Sequence, residues 1–204
     1  MSLKQRIVDQ FRRPRGLPGI VVGRIMSKRS SNQMRSAWTV DLLDLQPGQR
    51  VLELGYGPGL GIEAAMARLG GGQIVGLDHS ATMRTMAMRR VRRPSPDVSV
   101  DLRVGDAQQL PDDIGTFDKI FSCNVWLFWR EPVAVFQQLR DHLAPGGTMA
   151  VTHLPRHGNA TRDTALAAAA TIASQLEAAG YVDIRHEILD IEPVPAVCVL
   201  ATTR

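Results

Sequence analysis

An open α/β fold is predicted, with a mostly parallel sheet covered by helices on both faces. Three observations predict it. Apolar runs rich in Val, Ile, Leu and Phe alternate with helix-compatible stretches over residues 50–152. A glycine-rich loop joins the first of those strands directly to the helix after it. Two apolar strands separated by only four residues then close the chain and break the alternation. Alternation of this kind demands parallel strands with crossover helices, and right-handed crossovers make the sheet doubly wound.

The elements follow in order. Residues 1–12 read as a short amphipathic helix, and residues 13–23 as a connector carrying Pro14, Gly16, Pro18, Gly19 and Gly23. Residues 32–45 read as a helix whose apolar positions are Met34, Ala37, Trp38, Val40 and Leu42, ended by Pro47-Gly48. Strands are expected at 50–54, 73–77, 98–103, 117–122 and 147–152, with helices at 60–69, 80–92 and 131–143 between them. Pro145-Gly-Gly147 reads as the turn into the fifth strand. A helix over 162–179 ends at Gly180, and strands at 181–191 and 196–202 flank Glu192-Pro-Val-Pro195. So short a connection pairs them as an antiparallel hairpin, giving a seven-stranded, Rossmann-like sheet.

A chain of 204 residues with 44% apolar and 22% charged residues fits one ordinary globular domain. Cys123 and Cys198 lie far apart in apolar stretches and read as reduced thiols. No CxxC pair or HExxH motif occurs, so no metal is expected. Charges interrupt the N-terminus throughout, and the apolar stretch at 164–173 is too short to span a bilayer. The chain therefore reads as cytoplasmic. Its net charge of +4 is unevenly placed, with nine Lys/Arg and only Asp9 as an acid in residues 1–40. A second basic cluster, Arg84, Arg89, Arg90, Arg92 and Arg93, falls on one expected helix. Such clusters either attract phosphate, anionic lipid or nucleic acid, or form a solvated surface.

The chemistry begins at Val51-Leu-Glu-Leu-Gly-Tyr-Gly-Pro-Gly-Leu-Gly61. Glycine there lets the backbone turn sharply and approach a ligand closely. A strand, a glycine loop and a helix N-terminus form the nucleotide crevice of an open α/β sheet. The spacing decides the cofactor. A dinucleotide G-x-G-x-x-G needs its third glycine at Leu60 or Ile62, which fails, and no Lys-Ser or Lys-Thr follows to make a P-loop. The pattern present is E-x-G-x-G-x-G, starting at Glu53. The second strand ends in Asp78, about 20 residues on, the spacing at which a carboxylate accepts the ribose hydroxyls of an adenosine ligand.

In these motifs, and in the parallel sheet closed by a C-terminal hairpin, residues 45–204 resemble the class I S-adenosylmethionine (SAM) methyltransferases of small-molecule type. The resemblance implies that Glu53, Gly55, Gly57 and Gly59 face the amino-acid end of SAM. It places Asp78 on the ribose, His79 along the adenine, and Asp106 and Ala107 at the adenine amino group. It puts Asn124 at the edge that holds the methionine part and admits the acceptor. Tyr56, between the first two glycines, is bulkier than the family's usual residue and is expected to narrow the cavity.

The same resemblance makes residues 1–45 a basic helical lid over the carboxyl edge of a methyltransferase domain at 46–204. A dimer-interface arm is the alternative. Methyl transfer needs alignment above all, which supplies about 7–11 kcal/mol in favourable cases. A hydroxyl acceptor needs a base as well. His153 and His157 are the candidates, each with a solvated histidine as its alternative. Trp126 and Trp129 either wall the acceptor pocket or pack in the core. The Asn/Asp-Pro-Pro-Tyr/Phe motif of many nucleic-acid and protein N-methyltransferases is missing, which disfavours a nucleic-acid substrate. The expected acceptor is a small molecule, sugar or lipid-like compound, anionic or rich in hydroxyls, taken by a monomer or homodimer. The alternatives are an RNA methyltransferase using the basic N-terminus and a non-catalytic SAM-binding module.

Overall fold

The computed structural model describes residue 21 and residues 30–92 and 97–204. The expected helix at 1–12, the connector at 13–23 apart from Val21, and Arg93 lie outside the described residues. The elements are α1 (Ser30–Leu42), β1 (Arg50–Leu54), α2 (Leu60–Arg68), β2 (Gly72–Asp78), α3 (Ala81–Arg90), β3 (Val98–Val104) and β4 (Phe117–Cys123). A short 3-10 turn (Trp126–Phe128) follows, then α4 (Pro132–Asp141), β5 (Leu143–His153), α5 (Arg162–Ala178), β6 (Val182–Leu189) and β7 (Ala196–Thr202). The strands form one seven-stranded sheet in the order β3-β2-β1-β4-β5-β7-β6. Strands β1 to β5 run parallel, and β7 pairs antiparallel with both β5 and β6.

Strand alternation sorts the core onto the two faces. Leu52 and Leu54 of β1 point to the face covered by α4 and α5, where Phe136, Leu139, Ile172 and Leu176 are buried. Val51 points to the other face, against Val40, Ile62, Ala65 and Met83 of α1, α2 and α3. Each such side chain, fully buried, contributes about 1.5–3 kcal/mol. The helix starts are capped as their sequences dictate. Ser80 Oγ accepts from the Met83 N–H, Thr161 and Thr164 form a reciprocal box at α5, and Pro132 opens α4.

Two expectations need correction. Pro145-Gly-Gly147 is a bulge inside β5 rather than a turn before it. Phe117 pairs with Leu143 and Lys119 with Thr148, and Gly146 (φ 72°) absorbs the extra residues. More consequential is α1. Its buried side is polar, formed by Asn32, Arg35, Ser36 and Thr39 with Val40, whereas Met34 is 46% exposed. The helix lies over the ends of β1, β4 and β5, where Thr39 Oγ1 meets Thr152 Oγ1 at 2.7 Å and Cys123 Sγ donates to Thr39 Oγ1 at 3.5 Å. Its neighbours are hydrogen-bonding groups, so burial here does not select apolar residues.

Candidate active site

The carboxyl ends of β1 to β5 bring the sequence-singled residues to one edge of the sheet, each at the point where its strand stops. After β1, Gly55 (φ 65°) approaches the β4 end so closely that a Cβ would lie 2.3 Å from Val125 Cγ2. Gly57 (φ 51°) donates its N–H to Asp78 Oδ2 at 2.8 Å, and Ser80 N–H reaches Asp78 Oδ1 at 2.8 Å. Gly59 (φ 86°) begins α2. The Asp78 carboxylate is thus clamped between the glycine loop and the start of α3. Burial raises its pKa against the lowering effect of those two amides and of neighbouring His79. Lone pairs remain on both oxygens for a ligand's hydroxyls. His79 is exposed, with Nδ1 3.9 Å from Asp78 Oδ1.

Glu53 is 2% exposed, and its Oε2 has no hydrogen-bond partner. Burial, then the charge of Asp78, lifts its pKa to about 8, against smaller lowering effects of the Ile62 N–H and Arg35. Glu53 is thus biased toward its protonated form beneath the loop. Gly61 is what admits it, since a Cβ there would sit 2.3 Å from Glu53 Oε1. Asp106 stands exposed beyond β3. It accepts from the Gln108 N–H at 3.0 Å, while Gly105 N–H bonds Asp78 O at 3.0 Å and keeps the turn beside β2. Ala107 follows it, partly buried.

The structure bears on four expectations at this edge. Asn124 (φ 59°) arrives there, with one donor and one acceptor of its amide engaged by the chain itself. Nδ2 donates to Leu154 O at 2.9 Å, and Oδ1 accepts from Leu154 N–H at 2.7 Å. Its side chain therefore clamps the β4 end to the β5 end. Tyr56 does not narrow the crevice. It is 2% exposed, packs beneath Gly76 and donates its hydroxyl to Arg103 O at 3.1 Å. Trp129 belongs to the core, edge-on to Phe136 at 5.2 Å. His157 is exposed in the loop after β5, near enough for its charge to act on His153.

Trp126 and His153 do come together, ring edge to face at 5.8 Å, with Trp126 Nε1 donating to Gln175 Oε1 at 2.6 Å. His153 Nδ1 is buried without a hydrogen-bond partner. Desolvation, then the charges of Arg35 and His157, lowers the ring's pKa to about 4. It is a neutral imidazole at physiological pH.

Sequence reasoning missed Arg35. It is 7% exposed on α1, its Nε has no hydrogen-bond partner, and its charge acts on Glu53, Cys123 and His153. The signal was legible as polar residues at 32, 35, 36 and 39, the spacing of one helical face. Also missed was Arg156 after β5, which holds α1 by donating to Ser31 Oγ at 3.1 Å and Asn32 Oδ1 at 2.6 Å. Of the basic cluster on α3, Arg84 donates to Leu102 O, and Arg90 to Pro58 O and Glu63.

Glycines that admit close approach, a clamped acid with spare lone pairs, and an orphaned buried acid suit a ligand with a diol at one end and an ammonium at the other. SAM has both. Residues 51–147, from β1 into β5, match a family model described as a methyltransferase domain. Over 182 residues the chain is 29% identical to the uncharacterized methyltransferase YdaC of Bacillus subtilis (strain 168), covering 89% of this chain and 97% of that protein. Residues 51–147 thus carry a methyltransferase domain of the class I, SAM-dependent kind. This methyltransferase is also 36% identical over 115 residues to phosphoethanolamine N-methyltransferase 3 of Arabidopsis thaliana. That match takes 55% of this chain and only 22% of the plant protein. A SAM-dependent methyltransferase structure from Aquifex aeolicus shares the fold, with a TM-score of 0.72 and 17% identity over 91% of this chain and 98% of that one. Its cofactor is SAM. Among the described residues no group of His, Cys, Asp or Glu is arranged to hold a metal, and no helix is long and apolar enough to cross a membrane.

Proposed function

We propose that this methyltransferase modifies a small-molecule acceptor that enters beside the packed pair of Trp126 and His153, under α1. The observation that carries this reading is the roof over the β5 end. Arg156 bonds Ser31 and Asn32 of α1, so the neutral ring of His153 is approached beneath a helix rather than across an open face. Such confinement suits a small compound better than a folded RNA or protein. The engagement of Arg84 and Arg90 with the protein's own oxygens points the same way. An acceptor with a polar or charged head, as the name of the phosphoethanolamine relative describes for that protein, fits this reading.

SAM supplies a methyl group already activated by a positive sulfur. The chain's residues then bind, orient and exclude water. Asp78 accepts the ribose hydroxyls, with His79 beside it, and Asp106 with the Ala107 amide reads the adenine. The amides of Gly55, Gly57 and Gly59 line the crevice, and Glu53 serves the amino-acid end. Asn124 fixes the β4 and β5 ends at the right separation through Leu154. His153, unprotonated, accepts a hydrogen bond from the acceptor's O–H or N–H and turns its lone pair toward the methyl. Residues 1–45 act as the lid, of which α1 is the described part. Closing it excludes water from the reacting centre.

The test is methyl transfer from isotopically labelled SAM into a cell extract, separated into metabolite, lipid, RNA and protein fractions. Label is expected in small metabolites or lipids. Label concentrated in RNA, with binding that weakens steeply as salt rises, would overturn the reading in favour of an RNA substrate.

A further inference from the structure

Helix α3 touches the chain at three of the strands whose ends form the crevice. Its N-cap residue Ser80 gives an N–H to Asp78 at the end of β2. Arg84 Nε donates to Leu102 O of β3 at 2.7 Å. Arg90, in the last turn, reaches across to the glycine loop after β1. Its Nε donates to Pro58 O at 3.0 Å, and its Nη1 to Glu63 Oε2, in the first turn of α2, at 2.6 Å. That loop has little of its own to hold it in one shape. Gly55, Gly57 and Gly59 all take positive φ, and glycine has the widest choice of alternatives. Pro58 between them has no N–H to donate. The Ile62 N–H, which helical spacing would aim at Pro58 O, is turned to Glu53 instead. Pro58 O therefore takes its hydrogen bond from α3. The two elements also press together, since a Cβ on Gly59 would lie 2.9 Å from Ala87 Cβ and 3.6 Å from Arg90 Cδ.

We infer that Arg90 is a positioning residue for the cofactor crevice. It fixes the Pro58 carbonyl and, through it, the peptide planes from Gly57 to Gly59 that wall the crevice. The Gly57 N–H that clamps Asp78 lies in that same stretch, so the hold passes on to the carboxylate. This rests on the reading of the edge as a SAM site, and extends it to a side chain outside every strand-end motif. The ion pair with Glu63 is the lesser part, because Arg90 is 24% and Glu63 52% exposed, and exposed pairs are weak. The bond to Pro58 O sets backbone geometry. A planar guanidinium holds two acceptors at fixed angles, which a single ammonium does not. A loop already confined to one conformation loses less freedom when it closes on a ligand. The basic cluster on α3 thus divides by task. Arg89, next in sequence, is exposed and makes no hydrogen bond or ion pair among the described residues, so it contributes charge alone.

The test joins calorimetry with S-adenosylhomocysteine to amide hydrogen exchange, and needs no acceptor. Arg90→Met is expected to weaken S-adenosylhomocysteine about 3- to 10-fold, the effect of one charge-assisted hydrogen bond at a partly exposed position. Amides of residues 57–63 should exchange faster in the variant, while those of β1 and β2 keep their protection. Arg90→Lys keeps the charge without the two-point grip and should weaken binding about two- to threefold, a measurement that stands if the methionine variant fails to fold. Two further variants separate the contacts. Glu63→Gln leaves the Pro58 bond in place, and Arg89→Met removes a charge from the same turn. Each should stay within about 1.5-fold of wild type. Unchanged affinity in the folded Arg90 variants would overturn the inference. So would faster exchange throughout the sheet, which would make Arg90 merely structural, or a loss in Glu63→Gln as large as in Arg90→Met. If wild-type protein did not bind S-adenosylhomocysteine at all, the SAM site itself would be misplaced. That failure is distinct from an intact site indifferent to Arg90.

Discussion

At the scale of single residues, Asp78 and His153 have the most to report. Asp78 is held by two backbone amides at 2.8 Å, which fix the orientation of its oxygens. Asp78→Ala should weaken S-adenosylhomocysteine by about 1.5–3 kcal/mol for each charge-assisted hydrogen bond to the ribose. Calorimetry checks this, and unchanged affinity would mean the ribose lies elsewhere. For His153 the direction of the shift decides the pH behaviour. Its pKa falls from 6.5 to about 4 on folding, so the neutral ring stabilises the fold above pH 6.5. That contribution is lost as pH falls from 6.5 toward 4. Imidazole nitrogen resonances should therefore report a neutral ring at pH 5.5. His153→Ala should slow methyl transfer at saturating SAM by about tenfold or more, with cofactor affinity nearly unchanged. A titration midpoint near 6.5, or full activity in the variant, would contradict this role.

At the scale of elements, α2 and α1 depend on their contacts with the strands more than on their own propensities. Gly61 in the first turn of α2 ought to be improved by Ala, which favours a helix by about 1 kcal/mol. The clash with the Glu53 carboxylate at 2.3 Å outweighs that gain, because overpacking a tight contact costs about 1–3 kcal/mol. Gly61→Ala should lower the melting temperature and weaken cofactor binding together; a more stable variant would show that Glu53 has room to move. For the N-terminal segment that leads into α1, deleting residues 1–30 should lower turnover and cofactor affinity while circular dichroism shows the sheet intact. Full activity of the truncated chain would remove the lid.

At the scale of the molecule, stability is set against function at the buried acid. Glu53 has a pKa near 4.5 when unfolded and about 8 when folded. Below pH 4.5 both states carry the proton, and no penalty arises. Between 4.5 and 8 only the unfolded state releases it, so stability falls as pH rises, and the loss is complete above 8. Glu53→Gln should therefore raise the melting temperature at pH 8 more than at pH 5. Each kcal/mol corresponds to about 2–4 °C in a domain of this size. The same variant should bind S-adenosylhomocysteine more weakly. Equal melting shifts at both pH values would mean that Glu53 is not held protonated.

How much of this was legible in the sequence varies with the range of the interaction involved. Apolar alternation, Gly55 to Gly61 and the short link before β7 act within a few residues, so the parallel sheet, crevice and hairpin could be read from the chain. Asp78 and Asp106 were legible because strand ends in a parallel sheet align at one edge. The fates of Asn124, Tyr56 and Trp129 were not, since each is decided by a partner distant in sequence: Leu154, Arg103 and Phe136 respectively. Burial of a polar helical face was invisible for the same reason. A sequence pattern shows that Asn32, Arg35, Ser36 and Thr39 share one side of α1, but only tertiary packing decides whether that side meets solvent or the polar ends of β1, β4 and β5. By itself the sequence determined the fold and its cofactor, because both follow from local backbone chemistry. The tertiary structure alone decided which buried charges lack a partner, because desolvation depends on everything packed around a group and not on its neighbours along the chain.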